Sequence, residues 1–382
     1  MKRCLVITII ACLLLTFYGC KSESSTETTA YTATESLQET TDVTPQVTVK
    51  QQPMSAVSLP VVTESEIASD GTVIFTNTYQ DIALTVPDPD VAEKVIVDFL
   101  NRVEKNSDAK SVRDSAVRAY QDSPSSWSAF ASKVIYKPMR IDLGILSLSG
   151  EALTYQGGAH AQYVTKTVTY DLLTGNVLKS SDIFTQSASS DSLTSLVLEA
   201  LAEQKSSLFE DYEATVTEKF GASAEQNADW YFSCTGLCYF FSPYEIGPFA
   251  SGTVVAEIPY SKLTGILKDE YFPSEKESIN GKISVQAFET ADLNKYTQTA
   301  EVILNESAEK ILIYTDTKVD DIRIDQMVPF YANPSYNEPC TIFATGALTP
   351  GDAILVHASK DTVLSISYIA AGKQVTETIS FD

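Results

Sequence analysis

Two short clusters hold residue types that could bind or react. The first is Gly157-Gly158-Ala159-His160. Paired glycines can turn backbone amides outward toward an anion or a carbonyl, with His160 as a titratable neighbour. The same residues equally serve a tight turn that needs positive φ, with His160 hydrogen-bonding locally to hold it. The second is Ser242-Pro243-Tyr244-Glu245, which offers an aromatic ring and a carboxylate to a basic ligand. Alternatively, Pro243 ends the preceding strand and Tyr244 packs as a corner. Trp127 and Trp230 are possible interface anchors, although Phe130 and Tyr231 beside them favour burial.

Catalytic chemistry finds little support. The chain has two histidines, His160 and His357, in different expected domains, and neither is near a Gly-x-Ser-x-Gly elbow. There is no His-Glu-x-x-His, Walker or Gly-x-Gly-x-x-Gly spacing, so neither a metal nor another cofactor is expected. Two carboxylates could run a glycosidase, but no motif singles out a pair among the 50 acidic residues. The chain is expected not to be an enzyme, with a cell-wall hydrolase as the distant alternative.

The six cysteines separate by position. Cys4 and Cys12 fall in an N-terminal stretch that starts with Lys2 and Arg3, continues as an apolar run from Leu5 to Phe17, and reaches Gly19 just before Cys20. That order reads as an export signal over residues 1–20, with Cys20 as the acylated first residue of a lipoprotein. An uncut anchor helix is the other reading; the run is short for a bilayer core of ~30 Å. Both place the body on the extracytoplasmic face of the cell membrane. Cys234 and Cys238 could close a disulfide across Thr235-Gly236-Leu237 in an oxidising compartment, leaving Cys340 buried. The net charge of −23 argues against nucleic acid and against lying on an anionic lipid surface. It is compatible with a basic partner.

These residues need elements to position them. Residues 21–61 are rich in Ser, Thr and Glu, too polar to offset chain entropy, and are expected to form a disordered tether. Residues 62–275 read as an α+β domain: an antiparallel sheet with packed helices. Strand patterns are expected over 72–85. Asp88 and Pro89 then open a helix with an apolar stripe from Val91 to Val103. A polar helix over 110–121 and strands through 133–172 follow. A further helix is capped by Ser190 or Asp191, and strands return over 231–259. Beyond a polar linker, residues 281–382 show seven short apolar runs between turn residues, the pattern of an all-β sandwich-like domain.

Three segments in this order resemble a known family: Tyr155–His160 with Thr169–Gly175 and Ser181–Phe184, then Gly236–Phe249, then Gly252–Leu263. They resemble the extracytoplasmic domain of RsiV-type anti-sigma factors, which sense lysozyme, and a module of unknown function in front of some peptidoglycan deacetylases. The resemblance spans about residues 62–272. It implies a non-catalytic α+β domain that binds something at the cell envelope: lysozyme, another envelope protein or a wall glycan. The candidate ligand-binding residues remain those read from the two clusters, Gly157, Gly158 and His160 with Tyr244 and Glu245. A structural module of an envelope assembly, working through the C-terminal β-domain, is the alternative.

Overall fold

The computed structural model describes residues 54–221, 229–274, 280–288, 291–304, 309–330, 333–360 and 362–381. Cys20 and most of the expected tether lie outside the described residues. The elements run β1 (Ala56–Ser58), β2 (Val61–Ile67), β3 (Val73–Gln80), β4 (Ala83–Thr85), α1 (Pro89–Asn106), α2 (Ala109–Asp122), β5 (Phe130–Ile141), β6 (Ile145–Tyr155), β7 (Gln162–Asp171) and β8 (Asn176–Val177). Then come α3 (Ser180–Ile183), α4 (Ser190–Leu201), α5 (Tyr212–Phe220), β9 (Trp230–Phe232), β10 (Gly236–Phe241) and β11 (Val254–Pro259). The last stretch is all strand: β12 (Ile283–Ala287), β13 (Gln298–Ile303), β14 (Glu309–Thr315), β15 (Val319–Phe330), β16 (Asn333–Leu348), β17 (Asp352–Ala358), β18 (Val363–Ala370) and β19 (Lys373–Ser380). The fold class is α+β followed by an all-β part, as expected.

Local chemistry explains the helices. Asp88 accepts a hydrogen bond from the Asp90 amide at 3.0 Å, and Pro89 opens α1 with its fixed φ. Val91, Val95, Phe99 and Val103 are buried at helical spacing, while Leu100, expected in the same stripe, is exposed. α4 is capped by Ser189 rather than Ser190 or Asp191. The reason is a reciprocal pair: the Ser192 amide donates to Ser189 Oγ at 3.2 Å and the Ser189 amide to Ser192 Oγ at 3.1 Å.

The first sheet has the order β2-β3-β5-β6-β7-β8. All pairings are antiparallel except β3 with β5, which is parallel. A parallel neighbour needs a crossover, and α1 and α2 lie in that connection. α1 packs on Val134, Tyr136, Leu146, Leu148 and Tyr170, and α2 on Phe75 and Phe130. A second core joins α4 and α5 to the three-stranded sheet β11-β10-β9.

The C-terminal strands form two open sheets, β19-β18-β15-β16-β1-β4 and β12-β14-β17-β13, with Val302, Ile313, Ile322, Ile342, Ile354 and Ile366 in the core they share. Each of the seven expected runs falls on an observed strand, with the runs ending at Leu304 and Phe381 reaching one residue past β13 and β19. β12 was not anticipated: its Ile283-Ser284-Val285-Gln286-Ala287 alternation is short and directly follows the polar linker.

Residues 54–61 differ from the tether reading. β1 pairs with β16 on one side and β4 on the other, and Met54, Val57 and Leu59 are buried. Composition counts only how apolar a segment is on average. Three well-placed side chains and two strand partners are enough to order it. β4 also belongs to the C-terminal sheet, so the expected boundary between domains is crossed twice by chain from the N-terminal side, and residues 51–382 form one compact unit.

Candidate functional site

The β6–β7 hairpin loop carries the first cluster. Gly157 and Gly158 adopt φ of +87° and +101°, values that a side chain would strain. Tyr155 Oη donates to the Gly158 carbonyl at 3.2 Å, closing the loop on itself. His160 Nδ1 lies 3.1 Å from the Ala161 carbonyl, a contact in which the ring nitrogen donates. The turn role expected of these residues is therefore present, and the imidazole ring is held by it.

The β10–β11 connection carries the second cluster. Tyr244 has φ of +70°, rare outside glycine, and its side chain is 67% exposed. The strained turn is held by hydrogen bonds from the Tyr244 amide to the Gly247 carbonyl and from the Glu245 amide to the Ser242 carbonyl, both 3.0 Å. Glu245 is put to a different use from the ligand role implied for it. One carboxylate oxygen accepts the Ser242 amide at 2.8 Å and the other the Lys219 ammonium at 2.6 Å. Lys219 also sits 4.8 Å from the centre of the Phe241 ring. Glu245 thus pins the turn to α5 and leaves Tyr244 as the part that reaches out.

Phe249 joins the two loops. It opens a 3-10 turn over Phe249–Ser251, and its ring lies 4.7 Å from His160, 5.8 Å from Tyr244 and 6.0 Å from Tyr163. These are favourable centroid separations for aromatic pairs. Thr165 and Thr253 hydroxyls, 3.0 Å apart, tie β7 to the start of β11 beneath the rings. Burial, then the nearby Glu151 carboxylate, raises the Tyr163 phenol, so its hydroxyl stays neutral and able to donate. The result is a four-ring surface with one imidazole and two phenol hydroxyls. Such a surface can stack on apolar or sugar faces and hydrogen-bond at its edges. The arrangement contains no nucleophile–base pair, and no group of three or more metal-ligating side chains occurs among the described residues.

Sequence reasoning singled out His160 and Tyr244 but missed Tyr163 and Phe249. Tyr163 looks like one more alternating strand residue, and Phe249 follows a proline in a loop. Only their meeting in space marks them. Trp230 is buried, and Trp127 stacks on Phe130 with centroids 4.9 Å apart, so neither joins the surface.

The expected disulfide is not formed: Cys234, Cys238 and Cys340 are all thiols. Cys238 faces Tyr231 and Phe240 within the hairpin. Cys234 precedes the turn and donates toward the Met139 carbonyl at 3.4 Å and Asp321 Oδ1 at 3.6 Å. The two sulfurs are engaged by different neighbours.

A family model described as "Protein of unknown function (DUF3298)" matches residues 181–261, from α3 through β11 and including the Tyr244–Phe249 turn. A solved DUF3298-family structure from Bacteroides fragilis is 18% identical, with a TM-score of 0.42, covering 57% of this chain and 95% of that one. Another from Pseudomonas aeruginosa is 16% identical, with a TM-score of 0.39, covering 57% of this chain and 97% of that one. No curated protein matches the chain.

Proposed function

We propose that this chain is a non-catalytic binding domain of the cell envelope, held on the extracytoplasmic face of the membrane by a lipid on Cys20. It captures its partner through the surface formed by His160, Tyr163, Tyr244 and Phe249. One observation carries this reading. Two loops distant in sequence, each strained or glycine-dependent, converge to hold aromatic rings at the surface rather than in a core. His160 and Tyr244 are exposed, Tyr163 and Phe249 half-buried behind them, and surface aromatic rings of this kind commonly anchor interfaces.

The partner class we favour is a basic protein of the lysozyme kind, for which the RsiV-type resemblance and the net charge of −23 are the supports. Calorimetry of the full chain with lysozyme at low salt tests it. Saturable heat is expected, weakening at least about tenfold in Tyr244→Ala and Phe249→Ala, as for loss of a hot-spot ring of about 2 kcal/mol. No heat with lysozyme, but heat with soluble wall glycan fragments, would move the reading to a glycan. No heat with either would remove this surface as the binding site.

A further inference from the structure

A cavity of about 130 Å³ lies away from the aromatic surface, where the β5–β6 corner meets the C-terminal six-stranded sheet. Many of its charged walls are already satisfied. Arg140 donates to Asp142 at 2.7 Å, to Tyr260 Oη at 2.8 Å and to the Tyr271 carbonyl at 2.6 Å. Asp142 takes its remaining bonds from the Gly144 and Ile145 amides, both at 2.9 Å. Asp352 accepts from Gln298 at 2.9 Å and from the Thr349 amide and hydroxyl at 2.9 and 2.6 Å. These groups build the wall and have little left to offer.

Two lining groups keep capacity. Lys318 Nζ is 3.4 Å from Asp320 Oδ1, a loose contact that leaves the ammonium two further donors and the carboxylate most of its acceptor sites. Asp320 is 7% exposed, so its charge is largely out of water.

At this wall β1 pairs Ala56 with Thr345 and β15 pairs Ile322 with Thr345, so one step on Gly346 falls between Ser55 and Asp321. A Cβ at Gly346 would collide with the Ile141 carbonyl, so β16 lies close against the end of β5. Asp321 takes φ of +49° there, and the β15–β18 ladder shifts register between Asp320 and Arg323.

We propose that this cavity binds a small zwitterion of the amino-acid class, its ammonium received by Asp320 and its carboxylate by Lys318. An anion alone would meet the carboxylate of Asp320, and a cation alone the ammonium of Lys318. A ligand carrying both charges satisfies both members of the pair. The volume suits a small amino acid.

The test is calorimetry of the full chain with glycine, L-alanine and D-alanine, beside acetate and ethylamine as single-charge probes. Saturable heat at millimolar concentration is expected for at least one amino acid and for neither control. Lys318→Met and Asp320→Asn should each weaken it about tenfold or more, the usual effect of losing a charge-assisted hydrogen bond. Lys318→Met leaves the Asp320 carboxylate unpaired, so the double variant Lys318→Met/Asp320→Asn, which removes both charges together, stands as the test even where a single variant unfolds. Absence of heat with all three amino acids, equal heat with acetate or ethylamine, or unchanged affinity in the folded double variant would each overturn the proposal.

Discussion

Arg140 carries its charge where only 3% of the residue reaches solvent. Such a cation is tolerable when its donors are paired, and Asp142, Tyr260 and Tyr271 supply that pairing while the Phe232 and Tyr260 rings lie 5.3 and 5.5 Å from the guanidinium. Arg140→Met keeps the bulk and removes the fork. It should lower unfolding stability by about 2–4 kcal/mol, read as an earlier urea midpoint; an unchanged midpoint would show the network to be neutral. The thiols give a second prediction. Burial pushes Cys238 up to about 12 and Cys340 up to about 11. At pH of about 8 their reactive thiolate is on the order of one part in a thousand or less. Iodoacetamide should therefore label half-buried Cys234 while Cys238 and Cys340 stay unmodified until the protein is unfolded, as mass spectrometry of peptides would show. Rapid native labelling of Cys238 would contradict the buried hairpin environment.

Elements differ in how much of them local sequence reveals. α1 is legible because its cap and its apolar repeat are both local: Asp88 and Pro89 mark the start, and Val91, Val95, Phe99 and Val103 recur at the helical period. β1 is not legible, because what orders it is pairing with β16 nearly three hundred residues later. The candidate surface divides in the same way. His160 and Tyr244 stand out by residue type in turn motifs, whereas Phe249 matters only because folding brings two loops to it. β17 carries a related case. His357 is 8% exposed and faces Lys310 on β14, with Nε2 unpartnered among the described residues. Burial first, then Lys310, holds its pKa below the ordinary 6.5, against an opposing pull from Glu301. The unfolded chain thus binds a proton at a pH where the folded one does not, so stability falls as pH drops below about 6.5. Melting temperature should decline from pH of about 7 to about 5, and His357→Gln should flatten that decline relative to the parent. Parallel curves for both proteins would show that His357 does not couple to folding.

At the scale of the whole molecule, the question is whether the α+β and all-β parts are separable. A division near residue 275 looks natural along the chain, since polar linker residues separate helical from strand patterns. In space the division is interrupted. β1 and β4, from the N-terminal side, complete the sheet that β15, β16, β18 and β19 begin, and Val57 and Leu59 pack with Ala344 in the core under α1. Lys133 of β5 also pairs with Glu338 of β16 at 2.6 Å, with only 10% of the lysine side chain exposed. Removing residues 281–382 would leave β1 with one short partner, expose the apolar side chains it buries, and take the Glu338 carboxylate from Lys133. Cutting before residue 61 would do the reverse, opening the edge of β16. Both truncations break buried non-local contacts, which single linkers between independent domains do not carry. The full chain should accordingly melt in one cooperative transition, with calorimetric and van't Hoff enthalpies equal. A fragment ending at residue 274 should melt earlier and bind a hydrophobic dye before melting. Two separate transitions in the full chain, or a fragment with the parent's stability, would show that the shared sheet is a contact between autonomous domains and not part of a common fold.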